Sequence, residues 1–405
     1  MKYLFISHSY YPARKMGGPL HSVRGLAETL VRQGHEVTVA AGNVDVDEPL
    51  DLDTGIYHWV KGVRVRYFKM RPPLLKRLRV PGFRHTVATV CGADWKAWIQ
   101  ENIDSFDVVD IHICFLSFAP LAVKLAKQNG VVLLYHQRGV LDPLRLRMKR
   151  FRKMFYIRLW ERPLMKRADC LVALTSQEIG FFRQAGLHNR VEVIPNGISV
   201  DYSSSAISPS THICQMVSNL GSRITFFWMS RIHAIKGADL FTAAFIRLAM
   251  DHPDVCAILA GPDEVGLEAG LKRQVVEAGL TERFFFPGTL SGDDKLAVLR
   301  RSDVFVFPTE TEGFSMVLLE ALASGCAIIT SPGAYFQQIQ EFGAGMVVER
   351  SPEAYFEAMQ KMLKEGRMHI EEFSTSGKEL VSSHYSWEAI AQTYADLTHE
   401  LCDSK

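Results

Sequence analysis

Short apolar runs alternate with amphipathic segments along the whole chain. The runs at residues 3–7, 224–229 and 303–307 are of strand length and rich in β-branched and aromatic side chains, which predicts buried strands. The segments between such runs carry apolar residues at helical spacing, as at residues 20–33, and predict helices. Because the strands alternate with helices in two successive sets, the sequence predicts an α/β fold of two doubly wound domains with parallel sheets.

A polar, turn-rich stretch separates the two sets. It contains Ser203-Ser204-Ser205 and Ser208-Pro209-Ser210, so we place a linker at 201–222. The predicted organisation is an N-terminal domain over 1–200, a C-terminal domain over 223–384, and a terminal segment over 385–405 that ends in a helix.

Composition limits the class of protein. The chain has 405 residues, of which 47% are hydrophobic, and it contains no apolar run near 18 residues, so we expect a globular protein without a membrane span. The first residues are too short for a signal peptide and predict a strand. Seven scattered cysteines without a C-x-x-C pattern fit a reducing cytoplasm, and no metal-ligand pattern is apparent.

The net charge of +2 conceals an asymmetry between the two halves. Residues 1–200 carry 30 Lys and Arg against 17 Asp and Glu, a balance of +13, whereas residues 201–405 have a balance of −11. Anionic partners of the first half are the simplest explanation.

Ten of those cations lie within residues 145–167, against the single acid Glu161. Apolar residues at 144, 148, 151, 155 and 159 follow helical spacing, which predicts a basic amphipathic helix of the kind that binds anionic membrane surfaces. The alternative is an ordinary solvated helix that packs through its apolar face. No nucleic-acid-binding module is recognisable.

The strongest candidate site is the stretch 308–325, which follows the predicted strand 303–307. A polar loop leads to Glu312 and then into a helix that begins near Met316 and contains Glu320. Loops at the carboxyl ends of parallel strands are where open α/β sheets bind ligands. The first backbone N–H groups of the helix, at Phe314, Ser315 and Met316, would suit a phosphate, and the two carboxylates would suit sugar hydroxyls. The alternative is two solvated glutamates.

Three other predicted strand ends carry candidate residues. Gly17 and Gly18 follow the first strand and would allow the backbone to approach a diphosphate. His136 would donate a hydrogen bond from a strand end, or would simply be a capped histidine. Arg231 and Lys236 are two cations in one loop and suit a diphosphate, although exposed cations are common.

The stretch with Glu312, seven intervening residues and Glu320, in its Glu-Gly-Phe context, closely resembles the donor-binding motif of the retaining glycosyltransferases of the GT-B fold, family four. The resemblance covers nearly the whole chain and is stronger in the second domain. It implies that Glu312 meets the donor sugar and Glu320 the ribose hydroxyls. It also implies that Arg231 and Lys236, with Gly237, form a phosphate clamp.

Further residues follow from the same resemblance. The Gly-Gly loop would face the donor diphosphate and the acceptor. His136 would be catalytic, although Gln137 stands where related enzymes often have Asp. The Arg-Gly-x-Leu-Asp-Pro run resembles a subset that acts on cell-surface polysaccharides, where Arg138 would meet an anionic group. The remaining predicted substrate-binding residues are Gly261, Thr289, Leu290, Gly313, Phe314, Ser315 and Met316.

The resemblance implies a retaining hexosyltransferase that takes a nucleoside-diphosphate sugar in an interdomain cleft, with no cofactor and no metal. The predicted acceptor is a glycan or lipid-linked glycan of the cell envelope, at the cytoplasmic face of the membrane. The last helix would return to the first domain. Two alternatives remain open: an epimerase or phosphorylase of the same fold, and a non-catalytic scaffold that binds nucleotide or membrane.

Overall fold

A computed structural model of the protein describes residues 1–14, 17–45, 48–71, 90–114, 116–147, 154–199, 202 and 206–405. The chain divides into two compact units. The first comprises Met1–Gly197 together with Trp387–Lys405, and the second comprises Ile198–Ser386. The final residues therefore belong to the same unit as the first ones.

The first unit contains an eight-stranded sheet in the order β12-β11-β10-β9-β1-β2-β6-β5. Its strands are β1 (Lys2–Ser7), β2 (Glu36–Gly42), β5 (Tyr57–Val60), β6 (Val63–Phe68), β9 (Val108–His112), β10 (Val132–His136), β11 (Cys170–Ala173) and β12 (Arg190–Val193). Two small antiparallel pairs join β3 (Val44–Asp45) to β4 (Glu48–Pro49) and β7 (Met70–Arg71) to β8 (Val90–Cys91).

One strand of this sheet departs from the parallel pairing that the sequence predicts. Strand β5 pairs antiparallel with β6, while the other pairings in the sheet are parallel. The two strands are joined by Lys61 and Gly62, whose φ angles are 46° and 84°. A two-residue turn with positive φ at both positions closes a tight hairpin, and a hairpin is necessarily antiparallel.

The helices of the first unit cover both faces of its sheet. They are α1 (Gly18–Arg32), α2 (Ala93–Asn102), α3 (Ala119–Gln128), α4 (Pro143–Arg147), α5 (Arg162–Met165), α6 (Ser176–Gln184) and the C-terminal α15 (Trp387–Asp403), with a 3₁₀ turn at Ile103–Ser105 and a π-helical turn at Ile157–Glu161. Helix α2 follows the short strand Val90–Cys91, and residues 72–89 before that strand lie outside the described part of the chain.

Helix α15 packs against α1 through an aromatic side chain. A Cβ atom at Gly25 would lie 2.1 Å from Cε2 of Trp387, so the indole ring rests directly on the α1 backbone. Farther along α15, the hydroxyl groups of Thr398 and Tyr3 are hydrogen-bonded at 2.8 Å. The C-terminal helix is therefore part of the core of the first unit.

The second unit contains a six-stranded, fully parallel sheet in the order β15-β14-β13-β16-β17-β18. Its strands are β13 (Ile224–Met229), β14 (Val255–Ala260), β15 (Phe284–Gly288), β16 (Val304–Phe307), β17 (Ala327–Thr330) and β18 (Gly345–Val347). Its helices are α7 (Thr211–Asn219), α8 (Ala238–Asp251), α9 (Glu268–Glu277), α10 (Gly292–Arg301), α11 (Met316–Ser324), α12 (Gln338–Glu341), α13 (Pro352–Glu365) and α14 (Arg367–His384), with 3₁₀ turns at Ala234–Lys236 and Pro332–Ala334.

Helix α7 lies inside the predicted linker 201–222, so the linker prediction is wrong for those residues. Ile213, Met216 and Leu220 recur at helical spacing and are buried in the core of the second unit. Asp294 holds the start of the helix, because its carboxylate accepts hydrogen bonds from the backbone N–H and the hydroxyl of Ser210. Polar composition concealed a short amphipathic helix.

Candidate functional site

Three neighbouring strands of the second unit bring the predicted donor residues to one edge of the sheet. Strands β14, β13 and β16 are adjacent, and the segments after them carry Gly261, Arg231 with Lys236, and Glu312. All three strands are parallel, so these segments emerge at the same end. This is the ligand-binding edge of an open α/β sheet.

Lys236 and Glu312 form a close, largely buried ion pair. The Lys236 Nζ atom lies 2.5 Å from Oε1 of Glu312 and also donates to the carbonyl of Thr311 at 3.4 Å. The two side chains are only 9% and 15% exposed. Little water screens a pair at this depth, so each charge strongly fixes the position of the other. The structure thus joins two residues that are 76 positions apart in the sequence.

Backbone contacts hold the loops that carry this pair. The Glu312 N–H donates to the Gly333 carbonyl at 3.0 Å, and the Glu310 N–H donates to the Ile235 carbonyl at 2.7 Å. Arg350 bridges the two loops, because its guanidinium donates to the carbonyls of Pro308 and Ala234 at 2.9 and 2.6 Å. Arg350 was not a candidate in the sequence, where an arginine after a short strand carries no distinguishing signal.

The N-terminus of α11 lies directly after the Glu312 loop. Ser315 precedes the helix, its side chain is 4% exposed, and its hydroxyl has no hydrogen-bond partner among the described residues. A helix N-terminus offers unpaired N–H donors and a positive end of the helix dipole, and a buried hydroxyl adds another donor. This group suits a phosphate, as the sequence predicts for the backbone N–H groups of Phe314, Ser315 and Met316, and Gly313 precedes them in the loop.

The side chains of Phe314 and Met316 pack against the core of the second unit. Phe314 contacts the rings of Phe336 and Tyr385, with centroids 5.8 and 6.1 Å away, and Met316 packs against the same core. Their backbone groups remain the predicted phosphate contacts. Leu290 is likewise a core residue at 9% exposure, whereas Thr289 is exposed.

Gly261 has a structural reason to be glycine. Its φ angle is 142°, and a Cβ atom there would lie 1.7 Å from the carbonyl oxygen of Ser230. Its N–H donates to the carbonyl of Gly288 at 2.8 Å. The residue therefore allows the segments after β13, β14 and β15 to approach closely, whatever it contributes to ligand binding.

Arg231 lies at the rim. Its side chain is 61% exposed and its guanidinium pairs with Glu264 at 3.0 Å. Arg231 follows β13 and Glu264 follows β14, so the pair links two neighbouring segments at this edge. The clamp role predicted for Arg231 stays a prediction, and an exposed pair of this kind is weak enough for an anion to displace.

In the first unit, His136 belongs to a buried polar cluster at the ends of β9 and β10. Its Nε2 donates to Oδ2 of Asp110 at 2.9 Å, and the Tyr394 hydroxyl of α15 donates to the same oxygen at 2.7 Å. Arg138 donates through Nη2 to Nδ1 of His112 at 2.9 Å. Each of these side chains is 9% exposed or less. Asp110, His112 and Tyr394 were not candidates in the sequence.

Arg138 and the Gly-Gly loop lie close to this cluster. Arg138 also donates to Oδ1 of Asn196 at 3.3 Å, and burial lowers the pKa of its guanidinium to about 10. Arg138, His112 and the first turn of α1 line one small cavity. Gly17 precedes that turn with a φ of 64°, and a Cβ atom on Gly17 or Gly18 would meet open space.

Asp110, His112 and His136 place potential metal-ligand atoms within 4.8 Å of one another. The observed contacts fit a hydrogen-bond network better than a cation site. Asp110 already accepts from His136 and Tyr394, and the adjacent Arg138 guanidinium would repel a divalent cation. The expectation that the protein uses no metal stays a prediction.

The cluster controls which groups are charged. Burial would raise the pKa of Asp110, but His112, His136 and the hydrogen bonds outweigh it and hold that pKa well below its usual range. Burial lowers the pKa of both histidines. Protonation of His112 at Nδ1 would also set its new N–H against the Arg138 donor, so we assign a neutral imidazole.

This assignment gives a pH-dependent stability. As pH falls through 6.5, the unfolded chain protonates His112 while the folded chain does not, so the unfolded state binds more protons and stability decreases. Asp110 is ionised in both the folded and the unfolded chain near pH 6.5, so it does not contribute to the pH dependence of stability. We expect His112→Asn to remove up to about 1 kcal/mol of the loss in unfolding free energy between pH 6.5 and 5.5.

Urea unfolding at pH 7.5, 6.5 and 5.5 measures this effect. The exposed His212 provides the control, since His212→Asn should leave the wild-type pH dependence unchanged. An identical pH dependence for wild type and His112→Asn would show that His112 is not held neutral.

A cluster of exposed apolar and basic side chains lies on the segment 154–167, which we name the basic apolar patch. Its exposed apolar residues are Met154, Phe155, Tyr156, Leu159 and Trp160. Arg158, Lys166 and Arg167 lie among or beside them, and Arg162 lines an adjoining cavity of about 950 Å³ with Leu141, Leu146 and Phe181. Residues 148–153 of the predicted amphipathic helix lie outside the described residues.

The buried side of this segment holds an acid. Glu161 is 1% exposed and accepts a hydrogen bond from the Tyr135 hydroxyl at 2.5 Å. The one acid of the segment therefore faces inward, and the outward face carries only positive charge among its described residues. Every helix among the described residues is too short or too polar to span a lipid bilayer.

Comparisons with known proteins agree with this architecture. Residues 16–202 match the family model described as Glycosyltransferase Family 4, and residues 217–379 match the model described as Glycosyl transferases group 1. Together the two models cover most of the chain.

Two curated relatives are similar over part of their length. The lipopolysaccharide core biosynthesis mannosyltransferase LpcC of Rhizobium leguminosarum bv. viciae is 37% identical over 113 residues, which are 27% of this chain and 32% of LpcC. The corresponding enzyme LpsB of Rhizobium meliloti is 29% identical over 41% of this chain and 50% of LpsB. The alignments thus span half or less of these relatives.

Among solved structures, HepE of Anabaena in complex with UDP superposes with a TM-score of 0.72 at 17% identity, over 99% of this chain and 100% of HepE. At that identity the likeness establishes the fold. Together with the two family models, it confirms the fold class and the family inferred from the sequence: the chain is a member of glycosyltransferase family 4 and has the GT-B fold of two Rossmann-like domains.

Proposed function

We propose that the protein transfers a hexose, with retention of configuration, from a nucleoside-diphosphate sugar to a glycan or lipid-linked glycan in the synthesis of cell-envelope polysaccharide. The observation that carries the proposal is the convergence of Lys236, Glu312 and the N-terminus of α11 at one edge of the second sheet. A cation, a carboxylate and a helix N-terminus are the groups that a diphosphate and a sugar require.

The proposed step follows from these groups. The bond between the anomeric carbon and the diphosphate oxygen breaks, and the acceptor oxygen attacks the same face of the sugar while its proton passes to the departing diphosphate. Negative charge grows on that diphosphate, and Lys236, the α11 N-terminus and Arg231 would stabilise it. Glu312 would bind the sugar hydroxyls, and Glu320 would bind the ribose. No divalent metal is needed in this scheme.

Relatives support the class of donor and pathway. LpcC and LpsB are named as lipopolysaccharide core mannosyltransferases, and the HepE structures contain UDP, and in one case UDP-glucose. On the acceptor side, we assign Gly17, Gly18, His136 and Arg138. Arg138 would receive an anionic group of the acceptor, since it is a buried cation at a cavity wall.

A donor panel tests the proposal. Purified protein is incubated with UDP-, GDP- and ADP-sugars in the presence of anionic vesicles, and free nucleotide is measured. We expect slow hydrolysis of one donor, with the anomeric configuration of the released sugar retained. If no donor is hydrolysed and calorimetry detects no nucleotide binding, the proposal fails. Interconversion of the donor sugar without release of nucleotide would instead indicate an epimerase.

We further propose that the basic apolar patch binds an anionic membrane surface at the cytoplasmic face, where a lipid-linked acceptor would lie. Exposed aromatic side chains between arginines are the composition of interfacial segments. Each cation near an anionic bilayer contributes about 1 kcal/mol, and Trp160 offers a large amphipathic ring for the headgroup region.

Vesicle sedimentation tests this surface. We expect Trp160→Ser to weaken binding to vesicles of phosphatidylglycerol and phosphatidylcholine by about tenfold, because burial of an aromatic ring contributes about 1.5–3 kcal/mol. Trp59 is the matched control, since it is a tryptophan of the same unit that is 70% exposed on β5. Equal binding of wild type and Trp160→Ser, or no binding at low salt, would contradict the assignment.

A further inference from the structure

Lys295 and Glu320 form an ion pair between neighbouring helices of the second unit. The Nζ atom of Lys295 on α10 lies 2.6 Å from Oε1 of Glu320 on α11. The side chains are 23% and 17% exposed. This contact is short and partly shielded, unlike the exposed pair of Lys361 with Glu365, whose atoms are 3.7 Å apart and whose side chains are 61% and 36% exposed. It therefore fixes the carboxylate more firmly than a surface pair would.

The position of Lys295 is unfavourable for its own helix. Lys295 lies in the first turn of α10, where the positive end of the helix dipole disfavours a cation. The preceding residues Asp293 and Asp294 have the charge expected there, and both accept backbone hydrogen bonds, from Ser208 and Ser210. The helix dipole therefore does not favour a lysine at 295, whereas the Glu320 carboxylate is a direct partner of its ammonium group.

An aromatic side chain, that of Tyr202, lies beside the ion pair of Lys295 and Glu320. The ring centroid of Tyr202 lies 5.9 Å from the Lys295 ammonium. Burial, followed by the Glu320 carboxylate, raises the pKa of Tyr202 above its ordinary range, so the phenol stays protonated beside that carboxylate. The Lys295 ammonium thus lies between the Glu320 carboxylate and the Tyr202 ring, and these contacts restrict the movement of the carboxylate.

The Glu320 carboxylate, held in this way, can accept further hydrogen bonds. Its two oxygens provide about four lone-pair sites, and one ammonium contact on Oε1 leaves sites for the two donors of a ribose diol. A diol gains most when the carboxylate does not need to be ordered during binding, since the entropic cost has already been met.

We propose that Lys295 is a positioning residue for the nucleotide, which orients the Glu320 carboxylate toward the 2′ and 3′ hydroxyls of the donor ribose. The inference rests on the proposed function, which assigns Glu320 to the ribose. Lys295 acts through Glu320, so its effect depends on both the carboxylate and the hydroxyls.

Calorimetry with matched nucleotides tests this dependence. UDP, GDP and ADP and their 2′,3′-dideoxy forms are titrated into wild type, Lys295→Met, Lys295→Arg, Glu320→Gln and the double variant that combines Lys295→Met with Glu320→Gln. We expect Lys295→Met to weaken binding of the ribonucleotide by about tenfold and that of the dideoxy form by less than about twofold. Lys295→Arg should recover part of the affinity, and Lys295→Met should cause no further loss once Glu320 is replaced by glutamine.

Lys361→Met, which breaks the exposed pair on α13, is the matched control and should bind both forms like wild type. Equal weakening of the ribonucleotide and the dideoxy form by Lys295→Met would indicate a general structural role and overturn the inference, as would unchanged binding of both. If wild type binds none of the three ribonucleotides, the proposed function itself is contradicted. The experiment thus distinguishes failure of the proposed function from failure of the inference about Lys295.

Discussion

Replacing Lys236 with methionine is expected to lower the turnover of the donor sugar by about 10²- to 10³-fold, which is the usual effect of removing one group that stabilises charge developing in a transition state. The Lys236 side chain is only 9% exposed and its Nζ atom contacts Glu312, so no solvent cation can readily replace it. The measurement is nucleotide release from the donor that the panel identifies.

Loss of activity must be separated from loss of folding. Removing one partner of a buried ion pair leaves the other charge uncompensated and typically costs about 3–5 kcal/mol. We therefore expect Lys236→Met and Glu312→Gln each to lower the unfolding midpoint, and the double variant Lys236→Met with Glu312→Gln to recover part of it while remaining inactive.

An exposed lysine supplies the control for this experiment. Lys272 pairs with Glu268 at 2.6 Å, but its side chain is 51% exposed, so Lys272→Met should keep wild-type activity and stability. If Lys236→Met retained donor turnover within about threefold of wild type while folded, Lys236 would not stabilise the leaving diphosphate.

Gly261→Ala is expected to destabilise the second unit by about 3 kcal/mol or more. The new Cβ atom would lie 1.7 Å from the Ser230 carbonyl oxygen, so one of the two backbone segments must move, and the φ of 142° is itself unfavourable for alanine. Urea unfolding followed by fluorescence gives the change in unfolding free energy, and the tryptophan Trp228 of β13 reports on this unit.

Gly266 separates the two causes of that effect. Its φ is 77°, but a Cβ atom there would have no neighbour within 4 Å, so Gly266→Ala carries the conformational cost alone, about 1–2 kcal/mol. A similar loss of stability in both variants would mean that the close approach at Ser230 is not what requires glycine at 261.

Local pattern was sufficient for much of the fold. The apolar run before Pro308 is β16, and the helix predicted from Met316 is α11, which ends at Ser324. A buried strand and a helix with few helix-breaking residues can each be recognised from a short stretch of sequence. The linker prediction failed at α7 because its buried residues Ile213 and Met216, with Leu220 just beyond the helix, lie in a polar, serine-rich segment, and we gave its composition more weight than their helical spacing.

Contacts between residues far apart in the sequence were harder to predict. Lys236 and Glu312 were each identified, but nothing in the sequence indicated that they would touch. Asp110 and His112 could have been noticed, since they alternate on one strand and hence share a face of the sheet. Tyr394 could not, because its contact with Asp110 joins residues 284 positions apart. Such pairs depend on topology and leave no local signature.

The placement of α15 has a consequence for biosynthesis. The first unit needs Trp387 against Gly25 and Tyr394 on Asp110, yet the ribosome releases these residues only after the entire second unit has been made. During synthesis the first unit therefore lacks α15, so that one face of α1 and the Asp110 side chain stay exposed. Exposed surface of this kind makes partly folded chains prone to aggregation. Lys405, whose ammonium group donates to the carbonyl of Val131, joins the first unit in the same late step of folding.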